Sequence, residues 1–241
     1  MSDRRAAVVA ALLAAGTALG AEPDLRALMR RAERGRIAFA EEVVTIRVTV
    51  TGPERAGTAR FEVAVKGRRS RVKFLERDDS GTFIVFSPGE AWLLLPTARQ
   101  PIRIPPSQRV RGGLPVAEIS QLGFSDDYDA VVEREDDLGG RKCAVLRLAA
   151  HKGAAVSSPV VRVWIDAEEG LYRRAVFLLA SGRTARDVSF DAWRYEKGSP
   201  FLERMTITDA LRPGTTIVEY TDYERRPVPD AWLDPRTARG E

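Results

Sequence analysis

Few side chains in this sequence are suited to nucleophilic, acid–base or metal chemistry. The chain contains one histidine, His151, and one cysteine, Cys143. Hydrolysis and group transfer need such side chains in sets, with a base within reach of the group that it activates. One histidine and one cysteine also cannot form a zinc site from nitrogen and sulfur ligands. The sequence therefore predicts a protein that is not an enzyme and that holds no metal and no cofactor.

Three carboxylates in "SDDYD", those of Asp126, Asp127 and Asp129, could in principle coordinate calcium. The segment lacks the glycine and the terminal glutamate of a known calcium loop. The sequence also contains no G-x-S-x-G elbow, phosphate-binding loop or dinucleotide fingerprint. These absences leave a binding or structural role as the main class of function.

Basic residues are concentrated in "KGRRSRVK", within a chain of net charge +4. Only five of the 38 basic residues are lysine, and asparagine is absent, which indicates a biased genome composition. No nucleic-acid recognition module accompanies the charge, so nucleic acid is not a predicted partner. We interpret the cluster as a solvated hairpin tip; a docking patch for an acidic partner or anionic headgroups is the alternative.

The first twenty residues predict export. A charged start, "MSDRR", precedes the apolar run "AAVVAALLAAGTALG", which ends in a small-x-small pattern at Ala18 and Gly20. The run is short for a membrane span. We expect a signal peptide at residues 1–20, cleavage before Ala21 or Glu22, and a periplasmic location for a mature domain at 21–241. An uncleaved N-terminal anchor is the alternative.

Most of the remaining chain has the pattern of strands. Leu25, Leu28, Met29 and Ala32 form one helical stripe, after which "VTIRVTV", "RFEVAVK" and "SRVKFLER" alternate apolar and polar residues. "TFIVFSP" and "EAWLLLP" are apolar at successive positions, which predicts strands covered on both faces. "RKCAVLRLA" is also strand-like, so Cys143 is interpreted as a small core residue.

Short turn sequences separate a dozen or so such runs, which predicts one mainly β domain with an antiparallel meander. Only two short helical patterns, at Leu25 and at residues 116–123, could cover the face of so wide a sheet. A curved sheet with a small helical cap encloses volume, so we expect a ligand cavity. The predicted lining is Val48, Phe61, Val63, Val72, Phe74, Phe83, Val85, Trp92, Leu94, Ile119, Leu122, Phe124 and Met205.

The order of several motifs resembles the LolA-like family of outer-membrane lipoprotein-sorting proteins. A signal peptide and a short helix precede "WLLLP", which runs into the proline- and arginine-rich segment "TARQPIRIPPSQRVRGGLP". "VWIDAEEGLYRRAVFL", "GSPFLERMTITDALRPGTTIVEYTDY" and "VPDAWLDP" follow. The similarity extends from Ala21 to about Thr237 and fits the broad branch of the family better than LolA itself.

The resemblance implies an unclosed β-barrel lidded by short helices, which carries acyl chains of lipoproteins or lipids to the outer membrane. "VAEISQLGF" would be a lid helix with Val116, Ile119, Leu122 and Phe124 facing inward, or the same residues would complete a packed core. Arg68 and Arg69 lie where the family places a lid latch, and docking is their alternative role. The implied partners are an inner-membrane exporter and an outer-membrane acceptor. The protein itself would be a monomer that is not embedded in a membrane.

Two other classes of function remain open from the sequence. One is a periplasmic sensor or regulatory protein that binds lipids or lipoproteins. The other is a structural or assembly factor whose barrel is filled by its own side chains and takes no ligand. Lipid extracted from the purified protein would distinguish the carrier and sensor classes from the filled barrel.

Overall fold

The fold is known from a computed structural model that describes residues 24–36, 39–52, 56–105, 123–154 and 156–239. The predicted signal peptide and most of the predicted lid helix, including Val116, Ile119 and Leu122, lie outside the described residues. Among the residues described, no helix is long and apolar enough to cross a membrane.

The described strands form one antiparallel sheet, as the meander of short turns predicts. In sheet order they run β6-β5-β4-β3-β2-β1-β13-β12-β11-β10-β9-β8-β7. The bounds are β1 (Glu41–Thr51), β2 (Gly57–Lys66), β3 (Arg69–Phe74), β4 (Phe83–Ser87), β5 (Glu90–Leu94), β6 (Ile102–Ile104), β7 (Tyr128–Leu138), β8 (Arg141–Ala150), β9 (Val160–Asp166), β10 (Tyr172–Leu178), β11 (Thr184–Glu196), β12 (Ser199–Asp209) and β13 (Thr215–Glu224).

The sheet does not close, because β6 and β7 are its two edges and do not pair with each other. These edges are consecutive strands in the sequence, whereas the first and last strands, β1 and β13, pair in the middle of the sheet. The predicted mainly β, unclosed barrel is confirmed. β6 is a three-residue strand within the proline- and arginine-rich segment that follows "WLLLP".

Helix α1 (Leu25–Glu33) covers part of one sheet face. Its first turn is capped by the Asp24 carboxylate, which accepts a hydrogen bond from the backbone N–H of Ala27 at 2.9 Å. The predicted apolar stripe is turned inward, with Met29 and Ala32 fully buried. Gly35 follows the helix at a position where a Cβ would lie 2.5 Å from the Trp193 ring, so a larger residue would not fit.

The sheet face that packs against α1 is called the inner face. It carries one apolar cluster with members from β1–β5 and β7–β13 together with the helix. Cross-strand pairing explains its continuity, because Val63 lies opposite both Val44 and Val72, and Val48 lies opposite Val218. Side chains of alternate residues along each strand therefore meet in one core.

The opposite face, called the outer face, is covered over β1–β5 by the end of the chain. Residues 225–239 form what we call the C-terminal strap, which includes a 3-10 helix at Asp230–Leu233. Val228 and Leu233 pack on β1 and β2, and Ala238 packs on β4 and β5. This cover explains why "TFIVFSP" and "EAWLLLP" are apolar on both faces.

Candidate functional site

Seven of the predicted cavity residues come together on the inner face. The Phe61 and Phe74 rings meet edge to face with centroids 5.0 Å apart, on adjacent strands. All seven are buried in the same cluster: Val48, Phe61, Val63, Val72, Phe74, Phe124 and Met205. Their contact with a ligand stays a prediction.

Four predicted lining residues lie on the outer face, so their inward placement is wrong. Val85 pairs with Arg71 and Trp92, and Phe83 pairs with Lys73 and Leu94. The four, Phe83, Val85, Trp92 and Leu94, pack with Ala238 of the strap. Side chains of a strand alternate between faces, so choosing the neighbouring residue inverts the assignment. The inward residues of β4 and β5 are Ile84, Phe86, Ala91 and Leu93.

Aromatic rings surround Phe124, the second described residue after the gap at residues 106–122. The Phe124 centroid lies 5.7 Å from that of Tyr128, 5.6 Å from Tyr172 and 6.0 Å from Phe177. The Tyr172 ring extends the group to Phe190. Burial raises the pKa of Tyr172 well above its usual value, so the hydroxyl stays neutral. The group is therefore an uncharged aromatic wall.

A small cavity lies against this wall. Its volume is about 20 Å³, and it is lined by Arg36, Phe124, Phe177, Val188, Phe190, Met205 and Ile207. A space of this size holds about one water molecule. An acyl chain would therefore require Phe124 to move away from the other rings of the wall.

Arg36 is a functional candidate that the sequence did not reveal. It lies three residues after α1, whose own arginines fall on the polar side of the stripe. Nevertheless Arg36 is only 9% exposed, and its guanidinium carbon lies 5.9 Å from the centroid of the Phe190 ring. Its one sequence signal is the glycine before it, which allows the chain to pass close to Trp193.

The turn at residues 123–127, called the anchor turn, is held by the end of α1. The Glu33 carboxylate accepts hydrogen bonds from the backbone N–H groups of Phe124 (2.6 Å) and Ser125 (2.7 Å) and from the Ser125 hydroxyl (2.7 Å). Arg26 donates to the Ser125 carbonyl at 2.9 Å. A Cβ on Gly123 would lie 2.6 Å from the Glu33 carboxyl carbon, so this approach requires glycine.

Arg68 and Arg69, the predicted latch residues, have different partners. Arg68, in the turn between β2 and β3, bonds to Asp127 of the anchor turn at 2.9 Å and lies 3.4 Å from Asp126. Arg69 bonds to Asp230 of the strap at 2.6 Å. Arg68 thus connects one half of the sheet to the residues that begin β7, whereas Arg69 fastens the outer cover.

The polar residues considered for chemistry do not form a site. Asp126 and Asp127 are paired with arginines, and Asp129 lies 3.1 Å from His151. No group of three or more potential metal ligands is found among the described residues.

Cys143 is buried on the outer face, and burial raises the pKa of its thiol to about 11. We expect iodoacetamide at pH 8 to leave the folded protein unmodified and to label it once after unfolding in urea, because the thiolate is the reactive species. An unfolded thiol ionises near pH 8.5. The thiol's contribution to stability is therefore present below that pH and is lost as the pH rises toward 11. Rapid labelling of the folded protein by iodoacetamide would contradict the burial of the Cys143 thiol.

Comparison with solved structures identifies the same fold in three bacterial proteins. A LolA superfamily protein from Nitrosomonas europaea aligns with a TM-score of 0.79 at 23% identity, covering 87% of this chain and 96% of that one. A DUF1329 family protein from Desulfovibrio piger aligns with a TM-score of 0.75 at 18% identity, covering 87% and 95%. An outer-membrane lipoprotein-sorting domain from Vibrio parahaemolyticus aligns with 0.76 at 14%, covering 89% and 98%.

Sequence comparison matches a shorter part of the chain than the structural comparison does. A family model described as an uncharacterized protein matches residues 66–237. No curated protein sequence matches the chain significantly. The matched region includes β3–β13 and most of the strap, and it leaves out α1, β1 and nearly all of β2. The chain belongs to the family that this model describes, and it has the LolA-like fold of the three solved structures.

Proposed function

We propose that this protein is a periplasmic carrier that binds the acyl chains of lipoproteins or lipids on its inner face and moves them toward the outer membrane. The observation that supports this most directly is the continuous apolar inner face, which ends at the aromatic wall around Phe124. The LolA-like fold and the signal-peptide pattern of residues 1–20 are consistent with it. The protein would act by binding, without catalysis.

The energetics of such a carrier are favourable. Each methylene group that leaves water contributes about 0.8 kcal/mol, so a partly sheltered acyl chain gains several kcal/mol. The acyl chain would take the place that Phe124 occupies beside Tyr172 and Phe177. The arrangement in which Phe124 packs beside Tyr172 and Phe177 is then the ligand-free state, and loading displaces Phe124.

In this proposal Arg68 is the latch between the two halves of the open sheet. Its bonds to Asp126 and Asp127 join the β2–β3 turn to the anchor turn, which directly precedes β7. The Arg68 side chain is 49% exposed, so the pair is worth less than about 1 kcal/mol. A latch of that strength would open when an exporter or an acceptor protein competes for the arginine.

The small cavity also favours a second candidate, a structural or assembly factor that binds no ligand. Its volume of about 20 Å³ is what a filled barrel would leave. The two functions predict different results when the protein is tested for bound lipid. A carrier or a lipid sensor contains extractable lipid or takes up an apolar probe, whereas a filled barrel does neither.

The test is extraction of lipid from protein purified from the periplasm, followed by mass spectrometry. We expect bound acyl lipid in the wild type and at least tenfold less in Met205→Glu, because a carboxylate on the inner face is costly beside an acyl chain. Val131→Glu is the matched control, since Val131 is 56% exposed on β7 and should load like the wild type.

Circular dichroism of each variant establishes that it is folded before its loading is compared. Wild-type protein that contains no lipid, and that binds no neutral fluorescent probe such as N-phenyl-1-naphthylamine, would rule out the carrier. A structural or assembly factor with a filled barrel would then be the favoured function.

A further inference from the structure

The indole N–H of Trp193, on β11, is buried without a hydrogen-bond acceptor among the residues that the structure describes. Trp193 as a whole is partly exposed, so its one side-chain polar atom is shielded from water while other atoms of the residue reach it. A buried indole N–H usually finds a partner, and the lack of one is unfavourable for folding. A phenylalanine at this position would avoid that penalty.

Trp164, on β9, shows the usual arrangement in the same sheet. It is 4% exposed, and its indole N–H donates to the Asp136 carboxylate at 2.9 Å on the outer face. The fold can therefore supply an acceptor to a buried tryptophan, and it does not supply one to Trp193. A buried donor of this kind in a native structure requires an explanation, and a bound ligand is one.

Two irregularities in β11 turn Trp193 toward the inner face. The register with β12 shifts between Phe190 and Ala192 and again between Ala192 and Trp193. With regular alternation from Phe190, which is on the inner face, Trp193 would lie on the outer face. It instead pairs with Leu202 and packs against the inner apolar cluster. Bulges redirect side chains in this way, often beside functional sites.

The Trp193 ring is fixed at the end of the aromatic wall. A Cβ on Gly35 would lie 2.5 Å from the ring, and the Gly35 carbonyl accepts a hydrogen bond from the backbone N–H of Leu202 at 3.0 Å. The Trp193 centroid lies 6.4 Å from that of Phe190, which also lines the small cavity. The indole donor therefore has a defined position beside the proposed path of the acyl chain.

We propose that the Trp193 N–H donates a hydrogen bond to a carbonyl oxygen of the bound acyl group, which makes the ligand an acyl ester or amide. The aliphatic part would lie along Tyr172 and Phe190, whose ring centroids are 5.9 Å apart, in the place that Phe124 leaves. A carbonyl is a neutral acceptor, so it matches a single N–H donor in an apolar site. This inference rests on the proposed acyl-binding function and adds the linkage of the acyl group to it.

Proton–nitrogen NMR spectra test this contact directly, because the chain contains four tryptophans and each gives one indole N–H signal. We expect methyl decanoate or N-methyldecanamide to move the Trp193 signal downfield, as a new hydrogen bond does. The larger shift identifies the linkage as the ester or the amide. 1-Chlorodecane, which lacks a carbonyl, should produce no such downfield shift. The signal of Trp193 is the one that is missing in Trp193→Phe.

Trp193→Phe also removes the donor while it keeps an aromatic ring. Displacement of the neutral probe N-phenyl-1-naphthylamine should show about fivefold weaker binding of the better carbonyl ligand, as expected for the loss of one hydrogen bond. The affinity for 1-chlorodecane should change by less than about twofold, because it makes no bond to the indole. Trp164→Phe is the matched control and should bind all three compounds like the wild type.

Carbonyl ligands that bind without moving the Trp193 signal, or that bind folded Trp193→Phe as tightly as the wild type, would overturn this inference and leave the acyl carrier intact. A wild type that binds neither the probe nor any of the three compounds would overturn both. If Trp193→Phe does not fold, replacing Trp92, Trp164 and Trp232 in turn assigns the signal by elimination. Its shift in the wild type then decides the result.

Discussion

Replacing Arg71 with alanine is expected to lower the free energy of unfolding by about 3 kcal/mol, because this residue fastens the C-terminal strap. The Arg71 side chain is 2% exposed. Its guanidinium carbon lies 3.8 Å from the centroid of the Trp232 ring, and it donates to the Ala238 carbonyl at 3.1 Å. Urea unfolding of the variant and the wild type measures the difference.

The magnitude follows from how deeply these contacts are buried. A desolvated cation–π contact is worth about 2 kcal/mol, and a hydrogen bond to a charged group about 1.5–3 kcal/mol. The two contacts share one side chain, so their contributions do not simply add. Truncation also leaves Glu62, 3.7 Å from Arg71, without this neighbouring charge.

Arg69→Ala is the control for Arg71→Ala. Arg69 is on the same strand and bonds to Asp230 of the same strap, but its side chain is 39% exposed. Its loss should cost less than about 1 kcal/mol, as for other exposed ion pairs. Trypsin should cleave the strap at Arg236 faster in the Arg71→Ala variant than in the Arg69→Ala variant. Equal stability of the two variants would show that Arg71 does not hold the strap.

Replacing Glu33 with alanine is expected to accelerate hydrogen exchange at the amides of Phe124 and Ser125 by about a hundredfold. The Glu33 carboxylate accepts three hydrogen bonds of 2.6–2.7 Å from these two residues. Charge-assisted bonds of this kind contribute about 1.5–3 kcal/mol each, and about 2.7 kcal/mol corresponds to a hundredfold change in opening.

Arg30→Ala is the control, because Arg30 approaches the anchor turn only through an exposed contact of 3.6 Å with Asp126. Its effect on exchange should be below about fivefold. Residues 161–165 are held by β8 and β10 on either side and should exchange alike in both variants. Unchanged exchange at Phe124 in Glu33→Ala would mean that the aromatic packing alone holds the anchor turn.

Local patterns in the sequence determined the elements and the fold class. Alternation in "VTIRVTV" and "RFEVAVK" identified β1 and β2 and the inward residues Val48, Phe61 and Val63. The stripe at Leu25, Leu28, Met29 and Ala32 identified α1. These predictions succeed because the periods of strands and helices depend on residues close together in the sequence. Burial of one face then stabilises the element that the period predicts.

The face of β4 and β5 was decided only by tertiary structure. Both strands are apolar at successive positions, so alternation could not distinguish Val85 from Ile84 or Trp92 from Leu93. The strap shields the outer face of β4 and β5 from water as well as the inner face is shielded. The register of β4 with β3 assigns each residue to a face. The prediction that both faces are covered was right, and the choice between them was wrong.

The sequence alone determined a mainly β chain with a LolA-like fold and few groups for chemistry. Tertiary structure decided the long-range contacts: Arg71 with Trp232, Glu33 with the anchor turn, and Arg68 with Asp127. It also placed Arg36 among apolar side chains, although its neighbours in sequence are helix-surface arginines. Periodicity records which residues are buried, but only folding brings together charges that are far apart along the chain.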